Sequence, residues 1–304
     1  MCFPHRAMRR NVPVRPRVLI AAAVLLLVPR AAGGVLSATA SPREARQGEI
    51  LVVRVTIPEA PETLDGTFAG RPLVFVAEED GTYRALVGID LAHPPGTYAV
   101  TLHWRAPQAE LTRALPVRVR DGAFPTQRLT LPPQMVDPDP ADLARIREEQ
   151  ELLEALFTQP DTTAHFAGPF VLPLDSDFPS AGTFGRRRIL NGQPRSPHTG
   201  EDFPAPVGTP VRATNRGRVA YSGEMYFSGR SVVLDHGLGL YTLYYHLDSI
   251  AVEPGEVVAG GHLLGRVGAT GRVTGPHLHW GARLGHSRVD PTALLRLWDP
   301  PGSR

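Results

Sequence analysis

The chain has a single cysteine, Cys2, in 304 residues. That scarcity excludes a disulfide framework, including a disulfide-bonded immunoglobulin domain, and a structural zinc site built mainly on thiolates. Lysine is absent, so every basic residue is arginine, which says more about codon usage than chemistry. The longest apolar run, Val18 to Val28, has 11 residues, well short of the ~20 that a spanning helix needs. Gly265, Gly268, Gly271 and Gly275 form no phosphate loop leading into a helix, which excludes a nucleotide site. Ser222, Ser228 and Ser231 lack a nucleophile-elbow pattern, and no His-Glu-x-x-His helix is present.

The first 40 residues carry six arginines and no acid. Five of these arginines precede the apolar run, and Ala38-Thr39-Ala40 then offers a small-x-small cleavage site. This pattern predicts a signal peptide over residues 1–40 and export to the periplasm or extracellular space. An uncleaved anchor is the alternative, since Pro29 and Arg30 blur the end of the run. After cleavage, 26 arginines face 30 acids, a net charge of −4. A nucleic-acid partner needs a basic footprint and is excluded. No stable membrane span is expected after cleavage.

The remaining chain reads as mainly β. Ile50–Ile57, Leu73–Val76, Tyr83–Val87, Tyr98–Leu102 and Leu115–Val119 are strand-like, with turn signals at Asp65-Gly66, Asp80-Gly81 and Pro94-Pro95-Gly96. Their spacing predicts a β-sandwich-like domain over 41–120. Residues 121–165 read as a connector with a helix. Asp139 is positioned to cap it, Pro140 opens it, and Leu143, Ile146, Leu153 and Leu156 form an imperfect stripe. Residues 166–297 read as a compact β-rich domain, with strands around Val232-Val233-Leu234 and Tyr241–Tyr245, and a short tail follows over 298–304.

Three short stretches of that last domain carry metal chemistry. In a strand, His277 and His279 face one side while Leu278 and Trp280 face the core. His198 and Asp202 have helical spacing, but Gly200, Pro194, Pro197 and Pro204 favour an extended or turning loop. His246 ends an apolar strand. Two imidazoles and a carboxylate make a three-ligand set of the kind that leaves a fourth position open for water, as in catalytic zinc sites. His236 reads as ordering a turn. His93, His103, His165, His262 and His286 read as structural or surface residues, and Glu201 as solvated.

His198-Thr-Gly-Glu-Asp202, Tyr245-His246-Leu247 and Gly275-Pro-His277-Leu-His279-Trp-Gly281 follow the order and approximate spacing of the lysostaphin- and LytM-type zinc metalloendopeptidases. Ala205-Pro-Val-Gly-Thr-Pro-Val211, Asp235-His-Gly237 and Gly265-Arg-Val-Gly-Ala-Thr-Gly271 also resemble that family, so the likeness covers roughly residues 180–295. The resemblance implies a duplicated hybrid motif-like, LytM-type metallopeptidase domain. It implies one Zn²⁺ held by His198, Asp202 and His279, with His246 and His277 as non-ligating catalytic histidines of unassigned order. It further implies hydrolysis of peptidoglycan peptides at the cell wall. The alternative is a peptidoglycan-binding or hydrolase-regulating protein with an occluded or vestigial zinc site. One departure stands out: some relatives have a tyrosine shortly before the first zinc histidine, and none lies between Arg186 and His198 here.

Overall fold

The computed structural model describes residues 37–297, apart from 58–60, 79–80, 108 and 159–160. Most of the expected signal peptide and the expected tail lie outside the described residues. Among the described residues, no helix is long and apolar enough to cross a membrane.

The chain first forms β1 (Ser37–Ser41), β2 (Glu44–Arg46), β3 (Ile50–Thr56), β4 (Thr63–Phe68), β5 (Arg71–Pro72), β6 (Val76–Ala77), β7 (Thr82–Gly88), β8 (Gly96–Ala106) and β9 (Ala109–Arg120). They build a four-stranded sheet in the order β1-β3-β7-β6 and a five-stranded sheet in the order β2-β9-β8-β4-β5. Leu51, Val53 and Val55 of β3 meet Val100, Leu102, Val117 and Val119 in the core between the sheets. β1 pairs with β3 across the expected cleavage site, with Ala38 and Ala40 buried. The sandwich therefore begins four residues before the boundary the sequence suggested, because these small residues pack against a neighbouring sheet.

Three other expectations are corrected here. Asp65-Gly66 is not a turn but lies within β4, where Gly66 leaves room for an aromatic ring: a Cβ there would sit 3.0 Å from Phe75. Leu73-Val74-Phe75 alternates correctly, Leu73 and Phe75 packing into the sandwich core and Val74 into the next one, yet only Val76–Ala77 joins a ladder. The sandwich is also not a separate body. Ile50 and Val52, on the other face of β3, are part of the C-terminal core. Period-two alternation thus lets one strand serve two cores.

After β9 come β10 (Thr126–Leu129), α1 (Pro133–Val136) and α2 (Pro140–Thr158). In α2, Ile146 and Phe157 are buried and Leu153 and Leu156 partly so, but Leu143 and Leu152 are exposed. The C-terminal domain contains β11 (Arg187–Leu190), β12 (Gln193–Arg195), β13 (Gly200–Pro204), β14 (Pro210–Arg212), β15 (Gly217–Met225), β16 (Gly229–Asp235), β17 (Leu240–Ile250), β18 (Val257–Val258), β19 (Leu263–Val267), β20 (His277–Leu284) and β21 (Ser287–Val289), then a 3-10 turn at Pro291–Arg296. Nine strands form one antiparallel sheet whose main path is β13-β20-β17-β16-β15-β18. Val232, Leu234, Tyr244, Leu278 and Trp280 line its main core. Val233, Tyr241 and Leu243 point the other way and are covered by α2.

The connector does more than span. β10 pairs in parallel with β11, and β12 completes a small three-stranded sheet. The sandwich is tied on by Arg288, whose backbone and guanidinium donate to the Asp90 carboxylate at 2.7–3.0 Å.

Candidate metal centre

The antiparallel pairing of β13 with β20 sets Asp202 directly opposite His279. On the other side, Tyr245 of β17 is opposite His279, and the two rings stack 5.4 Å apart. His277 and His279 share one face, while Leu278 and Trp280 are fully buried behind it. Gly200 stands opposite Gly281, and an added Cβ at Gly200 would lie 2.6 Å from His279 Nε2. Two facing glycines leave space for the imidazole.

His198 precedes β13 and is extended rather than helical. Its Nε2 lies 2.8 Å from His279 Nδ1 and 3.2 Å from Asp202 Oδ1, and His279 Nδ1 is 3.0 Å from the same oxygen. All three donor atoms fall within 4.8 Å of one another. His198 Nδ1 donates to the Thr183 carbonyl at 3.1 Å, which turns its Nε2 toward the other two donor atoms. Burial lowers the His279 pKa to about 4, keeping the ring neutral. Burial would raise the Asp202 carboxyl, but the flanking imidazoles hold it well below the ordinary range. Two imidazoles and an ionised carboxylate converging on one point fit a divalent metal such as Zn²⁺.

His246 and His277 stand beside this group. Their ring centroids are 4.9 Å apart, and His277 Nε2 is 3.6 Å from Asp202 Oδ1. His246 sits at an irregularity in the β16–β17 register with φ +64°. A non-glycine residue there carries strain, and strain of this kind gathers at working sites where a bulge re-aims a side chain. His246 Nδ1 donates to the Thr270 carbonyl and His277 Nδ1 to the Gly275 carbonyl, each at 2.9 Å. Both rings therefore keep an acceptor Nε2. Burial holds the His246 ring neutral, with its pKa lowered to about 3.

Glu201 is not solvated, as the sequence suggested, but 4% exposed. On the face of β13 opposite Asp202, it accepts from Ser180 Oγ at 2.6 Å, Thr183 N at 2.8 Å and Phe184 N at 2.9 Å. Thr183 in turn accepts from His198 through its carbonyl and from Asp202 N through its hydroxyl. The carboxylate therefore fixes the segment that orients two of the three donor residues. His236, beside the Asp235–Gly237 turn, is fully buried and bound to the Arg216 carbonyl and the Thr242 hydroxyl.

Comparison with known proteins places this geometry in a lineage. The sequence profile of peptidase family M23 matches residues 196–291. A solved structure of a candidate M23 peptidase from Pseudomonas aeruginosa is 30% identical, with a TM-score of 0.61, covering 82% of this chain and 93% of that one. The chain belongs to peptidase family M23. The DD-carboxypeptidase/endopeptidase Mpg of Neisseria meningitidis is 44% identical over 97 residues, 32% of this chain and 22% of that protein. The peptidoglycan DD-endopeptidase ShyA of Vibrio cholerae is 41% identical over 109 residues, 36% of this chain and 25% of that protein. The aligned region thus spans about a quarter of the length of these curated relatives.

The M23 domain's cleft is lined by more than the histidines. Gln127 and Leu129 of β10 and Arg188 and Leu190 of β11 form one wall, and Phe227, Arg272 and Thr274 contribute elsewhere. No local pattern signals that the connector reaches the cleft, because β10 has only four residues and acquires its strand character by pairing with β11.

Proposed function

We propose that the protein is an exported, zinc-dependent endopeptidase that hydrolyses peptide bonds of bacterial peptidoglycan. The observation that carries the reading is the convergence of His198 Nε2, Asp202 Oδ1 and His279 Nδ1 in a cleft also lined by His246 and His277. The relatives' names, DD-carboxypeptidase/endopeptidase and peptidoglycan DD-endopeptidase, make a D,D bond the first to look for. Zn²⁺ held by the three residues would lower the pKa of a water toward ~7 and polarise the scissile carbonyl.

The chain's own residues divide the remaining work. His277 is the more accessible of the two flanking histidines and keeps an acceptor Nε2 beside the candidate ligands. It takes the proton from the nucleophilic water and passes it to the leaving amine. Burial disfavours a charged His246, so its Nε2 acts as a fixed acceptor that orients the water. Residues 1–40, with six arginines and no acid, supply the export signal in this reading.

The test is release of soluble muropeptides from purified peptidoglycan, with products identified by mass spectrometry. Zinc-loaded protein should release them, while chelated protein and H277A should not. A folded, zinc-loaded protein that releases nothing would overturn the hydrolytic reading in favour of a binding or regulatory role.

A further inference from the structure

The wall formed by β10 and β11 contains an arginine that makes no ion pair with any described residue, although it feels the charge of Asp202. Period-two alternation places Arg188 and Leu190 on the cleft side of β11, with Arg187 exposed on the other face. The register sets Gln127 beside Arg188 and Leu129 beside Leu190, so β10 and β11 present one continuous surface. Arg188 Nε is buried and has no hydrogen-bond partner, and no acid among the described residues comes within ion-pair distance of its guanidinium. The residue is partly buried, and the unmet Nε donor leaves room for a ligand to complete it.

The surroundings select the missing partner. Arg272 also lines the cleft, its guanidinium 4.1 Å from the Phe227 ring centroid. Among the described residues, Asp202 is the sole acid in the lining, and it belongs to the candidate metal group. With a divalent ion in place the cleft would carry a clear excess of positive charge, which favours an anionic ligand. A guanidinium presents several N–H donors in a planar fork matched to the two oxygens of a carboxylate.

We infer that Arg188 is a substrate-binding residue that takes a carboxylate of the peptide next to the scissile bond, making the enzyme selective for acidic over amidated substrates. This deepens the endopeptidase reading and rests on it. The preference acts through binding, because the wall is separate from the histidines that move the proton.

Three probes test it: N-acyl-D-Ala-D-Ala with a free C-terminus, its C-terminal amide, and N-acyl-D-Ala-D-Glu amide, which moves the carboxylate to a side chain. The full-length zinc-loaded protein should favour one of the acidic probes over the amide by ~10–100-fold in kcat/KM, carried by KM, as expected for a charge-assisted contact. Which acidic probe is favoured tells a terminal from a side-chain carboxylate. R188Q should lose that preference, the KM for the acidic probe rising to that for the amide. R188K keeps the charge without the fork and should retain only part of the preference. Equal kcat loss on acid and amide, or an unchanged preference in R188K and R188Q, would overturn the subsite. If wild type cleaves none of the probes, calorimetry of acid and amide binding still decides. An acid preference in Kd that collapses in R188Q supports the subsite while the hydrolytic reading falls, and equal affinities overturn the subsite. Should R188Q fail to fold, R188K carries the comparison.

Discussion

Replacing Glu201 by glutamine tests whether the metal group is held in place from behind. The carboxylate accepts from Phe184 N through Oε1, and from Ser180 Oγ and Thr183 N through Oε2. A glutamine can keep its oxygen at one of these positions only. With the oxygen at Oε2, its amide N–H₂ is set against the Phe184 N–H, so one bond is lost and one donor–donor contact is created. A hydrogen bond to a charged acceptor contributes about 1.5–3 kcal/mol, and an orphaned buried donor costs a similar amount. E201Q should therefore lose about 2–4 kcal/mol, or on the order of 5–10 °C in Tm for a protein of this size. The second consequence is functional. With the Phe184 bond gone, the 183–184 segment loosens and Thr183 holds His198 Nδ1 and Asp202 N less firmly. Loss of an orienting partner behind metal ligands typically lowers metal affinity ~10–100-fold. Chelator-competition titration measures this directly, and a thermal melt of the metal-free protein gives the stability. A lowered Tm with unchanged zinc affinity would refute the positioning argument. No change in either would refute the whole account of this residue.

Other outcomes follow from separate features. G200A places a Cβ 2.5 Å from the Trp280 carbonyl and 2.6 Å from His279 Nε2. It should weaken zinc binding at least ~10-fold, while G275A, which meets nothing within 4 Å, should not; equal affinities would count against the tight fit. D90A removes three contacts to Arg288 across the junction with the sandwich. It should cost about 2–3 kcal/mol in urea unfolding, and a loss below ~0.5 kcal/mol would show that the apolar core alone holds the junction. His236 should make stability pH-dependent. Burial lowers its folded pKa to about 4, against ~6.5 when unfolded. Its contribution is complete above pH ~6.5 and declines as pH falls from there toward 4, by about 3 kcal/mol. Urea midpoints of the metal-free protein should fall over that window, and the decline should be shallower in H236N. An identical decline in the variant would assign it to other groups.

Much of the site was legible because it follows from strand periodicity. His277 and His279 had to share a face, and Leu278 and Trp280 had to share the other. What remained hidden depends on pairing between distant segments. No local pattern says that Glu201 meets the 180–184 segment, so its neighbours Gly200 and Asp202 made it look exposed. His246 reads as an ordinary strand end, whereas its left-handed backbone arises from the mismatch with β16. Asp65-Gly66 carries turn chemistry, but a ring packed over Gly66 decides the outcome. In the sandwich, the alternation at Ile50–Val55 was readable as a strand, although not that its two faces serve different cores.

The wall contributed by β10 and β11 also bears on how such proteins diverge. The stretch by which family membership is recognised begins at residue 196, whereas Gln127, Leu129, Arg188 and Leu190 all precede it. Machinery and entrance are thus written in different parts of the gene. A lineage can retune what it admits by exchanging a few linker residues, leaving the histidines untouched. A chimaera that grafts residues 196–291 onto a foreign N-terminal region should inherit the floor of the cleft and take its selectivity from the new host.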